Sequence, residues 1–196
     1  MTAADLPVSG PTARVLRELV ELDKAVYAAI GSTPTPTVDA VMGRVSNAAD
    51  DSRLWLVTAG GLSLLGRKPR RAALAGVTSI AVTSALVNLG IKPVLARDRP
   101  MREHRADLGV VMPGSHAFPS GHSASAFAFS SAVGGVLPGL ATPLRLMATA
   151  VAYSRVHTGV HYGGDVVVGS LVGAGVGTAV SQVASRRGRR RGDRAG

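Results

Sequence analysis

The 196-residue chain has no cysteine, which excludes disulfides and thiolate metal sites and leaves the redox compartment unread. Aromatic side chains make up only 4%, too few to interleave with the basic stretches as base-stacking platforms. Acidic groups are scarce as well, 12 against 22 lysines and arginines, giving a net charge of +10. The segment Met1 to Pro11 carries no basic stretch ahead of an apolar core, so no cleavable signal peptide is expected and targeting falls to the spans themselves.

What the chain does have is apolar surface: 46% hydrophobic residues, 24 glycines and a mean hydropathy of +0.24. That combination suits one domain built in a membrane. Its positive charge is clustered, with Arg186, Arg187, Arg189, Arg190, Arg191 and Arg194 in the last eleven residues and a second group at Arg67-Lys68-Pro69-Arg70-Arg71. Both clusters abut apolar segments, as basic groups do on the cytoplasmic side of a bilayer with anionic lipid. Membrane is therefore the expected partner of the tail, and nucleic acid is not.

Apolar periodicity divides the chain. Residues 15–30 place Val15, Leu16, Leu19, Val20, Val26, Tyr27 and Ile30 at helical spacing, with Glu18, Glu21, Asp23 and Lys24 interspersed. Each central charge costs about 2.5 to 3.5 kcal/mol on insertion, so an interfacial helix is expected. A second short interfacial helix is expected over Thr37 to Ala49, after a turn-rich break at Ser32 to Pro36. Leu54 to Gly66 is apolar but short of the roughly twenty residues that cross hydrocarbon. Charge-free spans are expected over Ala72 to Ile91, over Ser123 to Leu144 with interruptions at Gly134-Gly135 and Pro138, and over Val166 to Ala184, while Leu146 to Ser154 is short unless it runs on through His157. The fold class is thus all-α, an integral membrane helical bundle of about five to six transmembrane helices. Residues 1–50 form the amphipathic N-terminal helices, 51–185 the transmembrane core, and 186–196 a basic, disordered cytoplasmic tail. Gly169, Gly173 and Gly177 recur every fourth position of the last span and predict a close-packing face for another helix.

If Arg67 to Arg71 is cytoplasmic, the spans alternate so that 92–122 and 155–165 share the outer face while Arg145 and the arginine tail share the inner one. Lys92, Arg97, Arg99, Arg102 and Arg105 break the positive-inside pattern and need another reason to be there.

Three polar groups supply one. His161 and Asp165, four residues apart, fall on one face if helical, where a carboxylate fixes the imidazole tautomer and leaves the other nitrogen free to attack. A surface turn with an inconsequential His–Asp contact fits the same two residues. Arg155 offers a planar fork suited to phosphate. Lys92 and Arg99, seven residues apart, project from one side of a helix that Pro100 discourages from continuing; ordinary headgroup snorkelling is the alternative. Pro119-Ser120-Gly121-His122 precedes a span, so the Ser120 hydroxyl and the Gly121 amide sit at a helix N-terminus that favours an anion, with His122 beside them as a proton donor.

Lys92 with Arg99-Pro100, then Pro119-Ser120-Gly121-His122, then Ser154-Arg155 with His161 and Asp165, resemble in order and spacing the three signature motifs of the type 2 phosphatidic acid phosphatase family. The resemblance covers residues 92–165, with no departure at a signature position. It implies a metal-independent phosphatase without a cofactor. His161 would be the nucleophile that becomes phosphohistidine, Asp165 its orienting carboxylate and His122 the acid that protonates the leaving group. Lys92, Arg99, Ser120, Gly121 and Arg155 would hold the phosphate oxygens. The same signature occurs in soluble vanadium-dependent haloperoxidases, which the long charge-free runs disfavour. A non-catalytic lipid-phosphate-binding protein or transporter is the other alternative, and an oriented nucleophile argues against it. The expected substrate is a lipid phosphomonoester or diphosphate: a polyprenyl diphosphate, phosphatidylglycerophosphate, phosphatidic acid, or a polyprenyl phosphosugar such as a polyprenyl phosphoribose 5-phosphate. The expected location is the plasma (inner) membrane, multi-pass, with the site on the extracytoplasmic face. His104, His116 and His157 lie outside the signature, and His157 reads as interfacial rather than as a gate.

Overall fold

The computed structural model of the protein describes residues 10–95, 97–101 and 108–192, with side chains as far as Arg186. Seven helices follow one another among them: α1 (Pro11–Ser32), α2 (Pro36–Ala48), α3 (Arg53–Leu64), α4 (Arg67–Ala85, running on as a π turn, Leu86–Ile91), α5 (Gly121–Val136), α6 (Ala141–His157) and α7 (Gly163–Gly192). Proline punctuates them for a physical reason. Pro11 and Pro36 occupy first-turn positions, where the missing N–H costs no hydrogen bond. Pro138 stops α5 at Val136, so the apolar run Ser123 to Leu144 is not one span. The chain turns through a short 3₁₀ segment at Pro138–Leu140, and Arg145 lies inside α6.

The bundle is organised around α5, against which α7, α4 and α6 all pack. Two size relationships let the helices close. Gly76 on α4 makes room for the Phe129 ring, which also meets Trp55 of α3 with ring centroids 5.3 Å apart. Gly169, Gly173 and Gly177 lie against the backbone of α5, where a Cβ would overlap the carbonyls of Ser120, Ala124 and Ala128. The expected glycine face is therefore real and its partner is α5.

Apolar side chains such as Val57, Leu64, Leu74, Leu89, Leu146 and Leu171 point outward, an arrangement that lipid accepts and water does not. Arg67–Ile91 and Gly163–Arg186 are each long and apolar enough to cross a membrane, and α3 to α7 together make an all-α membrane bundle. At 12 residues, or about 18 Å, α3 is too short to cross hydrocarbon alone. α7 runs on to Gly192, into the arginine tail expected to be disordered; residues 193–196 lie outside the described residues. α4 ends, α5 begins, α6 ends and α7 begins at one end of the bundle. Arg67 to Arg71 and Arg186 belong to the opposite end.

Candidate active site

Lys92 caps the π turn of α4 and is buried. The helix does not continue to Arg99: Pro93 brings no N–H to the ladder, and after one last turn that closes on the Ile91 carbonyl the chain is no longer helical from Arg97. The expectation that Lys92 and Arg99 share one helical face is corrected in this way. They converge instead through the loop: Lys92 Nζ donates to Ser115 Oγ at 2.9 Å, while Arg99 donates through Nε to the Ser115 carbonyl at 2.8 Å and through Nη2 to Ser115 Oγ at 3.4 Å. The Ser115 hydroxyl is thus the acceptor between two cations, the place a phosphate oxygen would take. Burial, and then the charge of Arg99, push the Lys92 ammonium below its ordinary pKa.

His161 and Asp165 are also arranged differently from the expected helical pair. α7 starts at Gly163, so His161 belongs to the tight loop that follows α6, which turns through Gly159 at a φ of +73°. Its backbone N–H and that of Val160 donate to the Arg155 carbonyl, each at 3.1 Å. Asp165 sits in the first turn of α7 and reaches back to the Tyr162 N–H at 2.9 Å, half of a capping box. The other half of its function is geometric: Oδ2 lies 3.4 Å from His161 Nδ1, with both side chains buried. On the far side of the ring, Arg99 Nη1 stands 3.2 Å from His161 Nε2 and 2.8 Å from the Val160 carbonyl. A guanidinium only donates. Nε2 must therefore present a lone pair, which places the imidazole proton on Nδ1, facing Asp165. Burial, opposed by Asp165 and reinforced by Arg99 and Arg155, lowers the His161 pKa to about 4, so the ring is neutral at pH 7.

Ser120 is the N-cap of α5, its Oγ accepting from the Ser123 N–H and hydroxyl at 3.4 and 3.0 Å, and its backbone N–H bonds the Asp165 carbonyl at 2.9 Å. It ties the second motif to the third from beneath. His122, the second residue of the same helix, faces Asp50 Oδ1 at 2.9 Å. Arg155 is fully buried, with Nη1 2.6 Å from Ser46 Oγ and 3.4 Å from Asp50 Oδ1. Lys92, Arg99, Gly121, His122 and His161 line one cavity of about 210 Å³; Ser120, Arg155 and Asp165 stand behind it.

Two functional contacts were not anticipated. Asp50 pairs with His122 across 72 positions of sequence. It is presented by a 3₁₀ turn in which Asp51 and Ser52 both hold left-handed φ values, 51° and 60°, a cost of about 1 to 3 kcal/mol each of the kind found at functional sites. Arg97 donates to Asp165 Oδ1 at 2.9 Å and to Asp23 Oδ2 at 3.0 Å, and stacks 4.3 Å from the Tyr162 ring centroid. Asp23 also accepts from the Gly164 N–H at 2.9 Å, which fastens α1 across the site. Two adjacent acids at the mouth of an apolar helix, and an arginine on the wrong side of the charge pattern, were the available signals.

His157 does not gate the cavity. It is buried on α6 with Nε2 2.7 Å from Asp39 of α2 and Nδ1 3.2 Å from the Tyr153 hydroxyl. Arg102, Glu103, His104, Arg105 and Asp107 lie outside the described residues. Among the described residues no three His, Cys, Asp or Glu side chains come together as a metal site.

With this geometry in view, the family model described as the PAP2 superfamily matches residues 72–189, more than half of the chain. The chain belongs to the PAP2 superfamily. Among solved structures, this PAP2 protein is similar to the crystal structure of Aquifex aeolicus LpxE, at 23% identity and a TM-score of 0.64, over 82% of this chain and 95% of that one. It is also similar to a transmembrane PAP2-type phosphatidylglycerolphosphate phosphatase from Bacillus subtilis, at 19% identity and a TM-score of 0.58, over 96% of this chain and 90% of that one. No curated protein sequence matches it. The two solved structures share its fold, and the all-α architecture is the one expected from hydropathy.

Proposed function

We propose that this PAP2 protein hydrolyses a lipid phosphate through a phosphohistidine at His161. The observation that carries the reading is the His161 imidazole, buried and neutral, with Nδ1 toward Asp165 and the Nε2 lone pair beside Arg99 on the cavity wall. A group that only bound lipid phosphate would need the cations and not the oriented nucleophile.

In the first step Nε2 attacks phosphorus as the bond to the lipid oxygen breaks. His122, whose pKa burial lowers to about 4, takes up a proton as the phosphate dianion arrives beside it and gives that proton to the leaving oxygen, and Asp165 stabilises the His161 ring as it becomes cationic. Lys92, Arg99 and the Gly121 amide face the nonbridging oxygens, and Arg155 reinforces them from behind. Charge stabilisation by these cations replaces what a metal supplies in other phosphatases. In the second step water, giving up its proton to His122, breaks the N–P bond and releases phosphate.

Asp50 is a positioning residue for His122, and Arg97 one for Asp165. The basic ends of α4 and α7 support a plasma-membrane location with the site on the extracytoplasmic face and the tail against anionic lipid. The substrate is a lipid monophosphate or diphosphate, polyprenyl-linked or a phospholipid; the neighbour named a phosphatidylglycerolphosphate phosphatase supports the phospholipid side of that range.

Phosphate release by the detergent-purified protein from a panel of these lipids tests the reading. Release that persists in chelator and yields to vanadate, a mimic of the phosphoryl transition state, is expected. Binding of several lipid phosphates without release from any would overturn it.

A further inference from the structure

The cavity does not end at the phosphate cradle. Ser84, Asn88 and Lys92 follow one another at four-residue spacing along α4 and its π turn, and Ser125 lies one turn beyond His122 on α5. All five line the cavity, together with Asp51 and Ser52, so it runs from the loop end down two helices toward the middle of the bundle. Its lining changes character on the way. Lys92 and Arg99, the lining lysine and arginine, are both at the loop end, as are Asp51 and Ser52; the deeper wall, Ser84, Asn88 and Ser125, is amide and hydroxyl.

Those deeper groups are held ready. Helical serines and threonines ordinarily return their hydroxyls to a carbonyl three or four residues back, and Thr58, Ser63, Ser79, Ser130 and Ser154 do so here. Among the described residues, Ser84, Asn88 and Ser125 make no side-chain hydrogen bond to the protein; Ser125 is buried at 6% exposure, Ser84 is half-buried and Asn88 is exposed. A polar side chain in a membrane bundle that is neither back-bonded nor paired is costly unless a ligand satisfies it.

We propose that the deep wall binds a hydroxyl-bearing segment attached directly to the scissile phosphate, so that the substrate is a phosphomonoester carried on a polyol, glycerol or sugar, whose lipid tail lies further on. This rests on the phosphatase reading above. Asn88 both donates to and accepts from hydroxyls, and the serines do the same. A prenyl monophosphate would set bare methylenes against these groups. A diphosphate would place its second phosphate against amide and hydroxyl groups where no lysine or arginine lines the wall. Leu86 and Leu89, beside Asn88 and exposed outward, give the tail an apolar exit.

The test compares phosphatidylglycerophosphate, a glycolipid bearing a sugar phosphomonoester, farnesyl monophosphate and farnesyl diphosphate in the same mixed micelles. At least one polyol-borne substrate is expected to exceed both farnesyl compounds about tenfold or more in kcat/KM, and which one does names the glycerol or the sugar source. In the Asn88→Leu/Ser125→Ala double variant that ratio falls about tenfold, the effect of two lost hydrogen bonds. Ser125→Ala alone carries the comparison if the double variant does not fold. Farnesyl phosphate or diphosphate turned over as fast as both polyol-borne substrates, or a ratio unchanged in the folded variant, overturns the inference while leaving the phosphatase standing. No release from any of the four overturns the phosphatase reading itself.

Discussion

Replacing Arg97 with methionine isolates an interaction that lies outside the cavity and yet holds Asp165, the carboxylate facing the proposed nucleophile His161. The guanidinium holds Asp165 at 2.9 Å and Asp23 at 3.0 Å, and Asp165 has no exposed surface. Removing one partner of a buried ion pair costs about 3 to 5 kcal/mol, because the charge left behind stays desolvated. Arg97 and Asp23 retain 21% and 13% side-chain exposure, so Asp23 rehydrates and the loss falls at the lower end, about 3 kcal/mol. Asp165→Asn in the Arg97→Met background removes the stranded charge, and the double variant recovers about 2 kcal/mol relative to the sum of the two singles. SDS unfolding titrations in mixed micelles measure this cycle. Arg14, paired with Glu18 on the surface with side chains 80% and 65% exposed, is the control; its loss costs under about 1 kcal/mol. In the activity assay Arg97→Met lowers kcat about tenfold with KM within a factor of about three, since it disturbs the orientation of His161 and touches no substrate. Additive free energies, or a loss no larger than that of the Arg14 control, would refute the reasoning.

Gly173→Val places a side chain into the Ala124 carbonyl and forces α7 off α5. A loss of about 3 kcal/mol together with activity is expected, while Gly175→Ala, which meets open space, changes neither in the same titration. The pH profile follows from the His161 pKa of about 4. In the proposed mechanism the reactive ring is the neutral one, so the lowered pKa moves the acid limb of kcat/KM, corrected for the fraction of substrate dianion, down to near pH 4, while the need for a protonated His122 gives the profile a basic limb. An acid limb centred near the ordinary histidine value, about 6.5, would contradict it.

What could be read from the chain was local in sequence. The four-residue glycine period names a helix face because a helix repeats on that scale, and the partner carbonyls of Ser120, Ala124 and Ala128 repeat in step. The three signature groups were visible because their internal spacing is short. Lys92 and Arg99 were found and misplaced: the seven-residue spacing suggested two turns of helix, whereas the helix gives way soon after Pro93 and the loop brings both cations to Ser115. The long charge-free run across Pro138 hid a turn in the same way. Asp50, Asp23 and Arg97 were out of reach because their partners lie 72, 141 and 68 positions away, at His122, Gly164 and Asp165. No periodicity connects such positions; only the packing of α1 and α2 against the loop end of the bundle does. A charge inside an amphipathic helix such as α1 counts as a penalty on insertion until its partner is known.

The central claim is that His161 becomes phosphorylated during turnover, and the direct measurement is to trap it. The protein is mixed with lipid labelled with radioactive phosphate, quenched within milliseconds in alkali, and the attached label counted and tested for acid lability. The account predicts label that approaches one per protein at early times, is stable in base and lost in acid, and is absent from His161→Asn along with phosphate release. Undiminished release in His161→Asn, or label that survives acid, would contradict it.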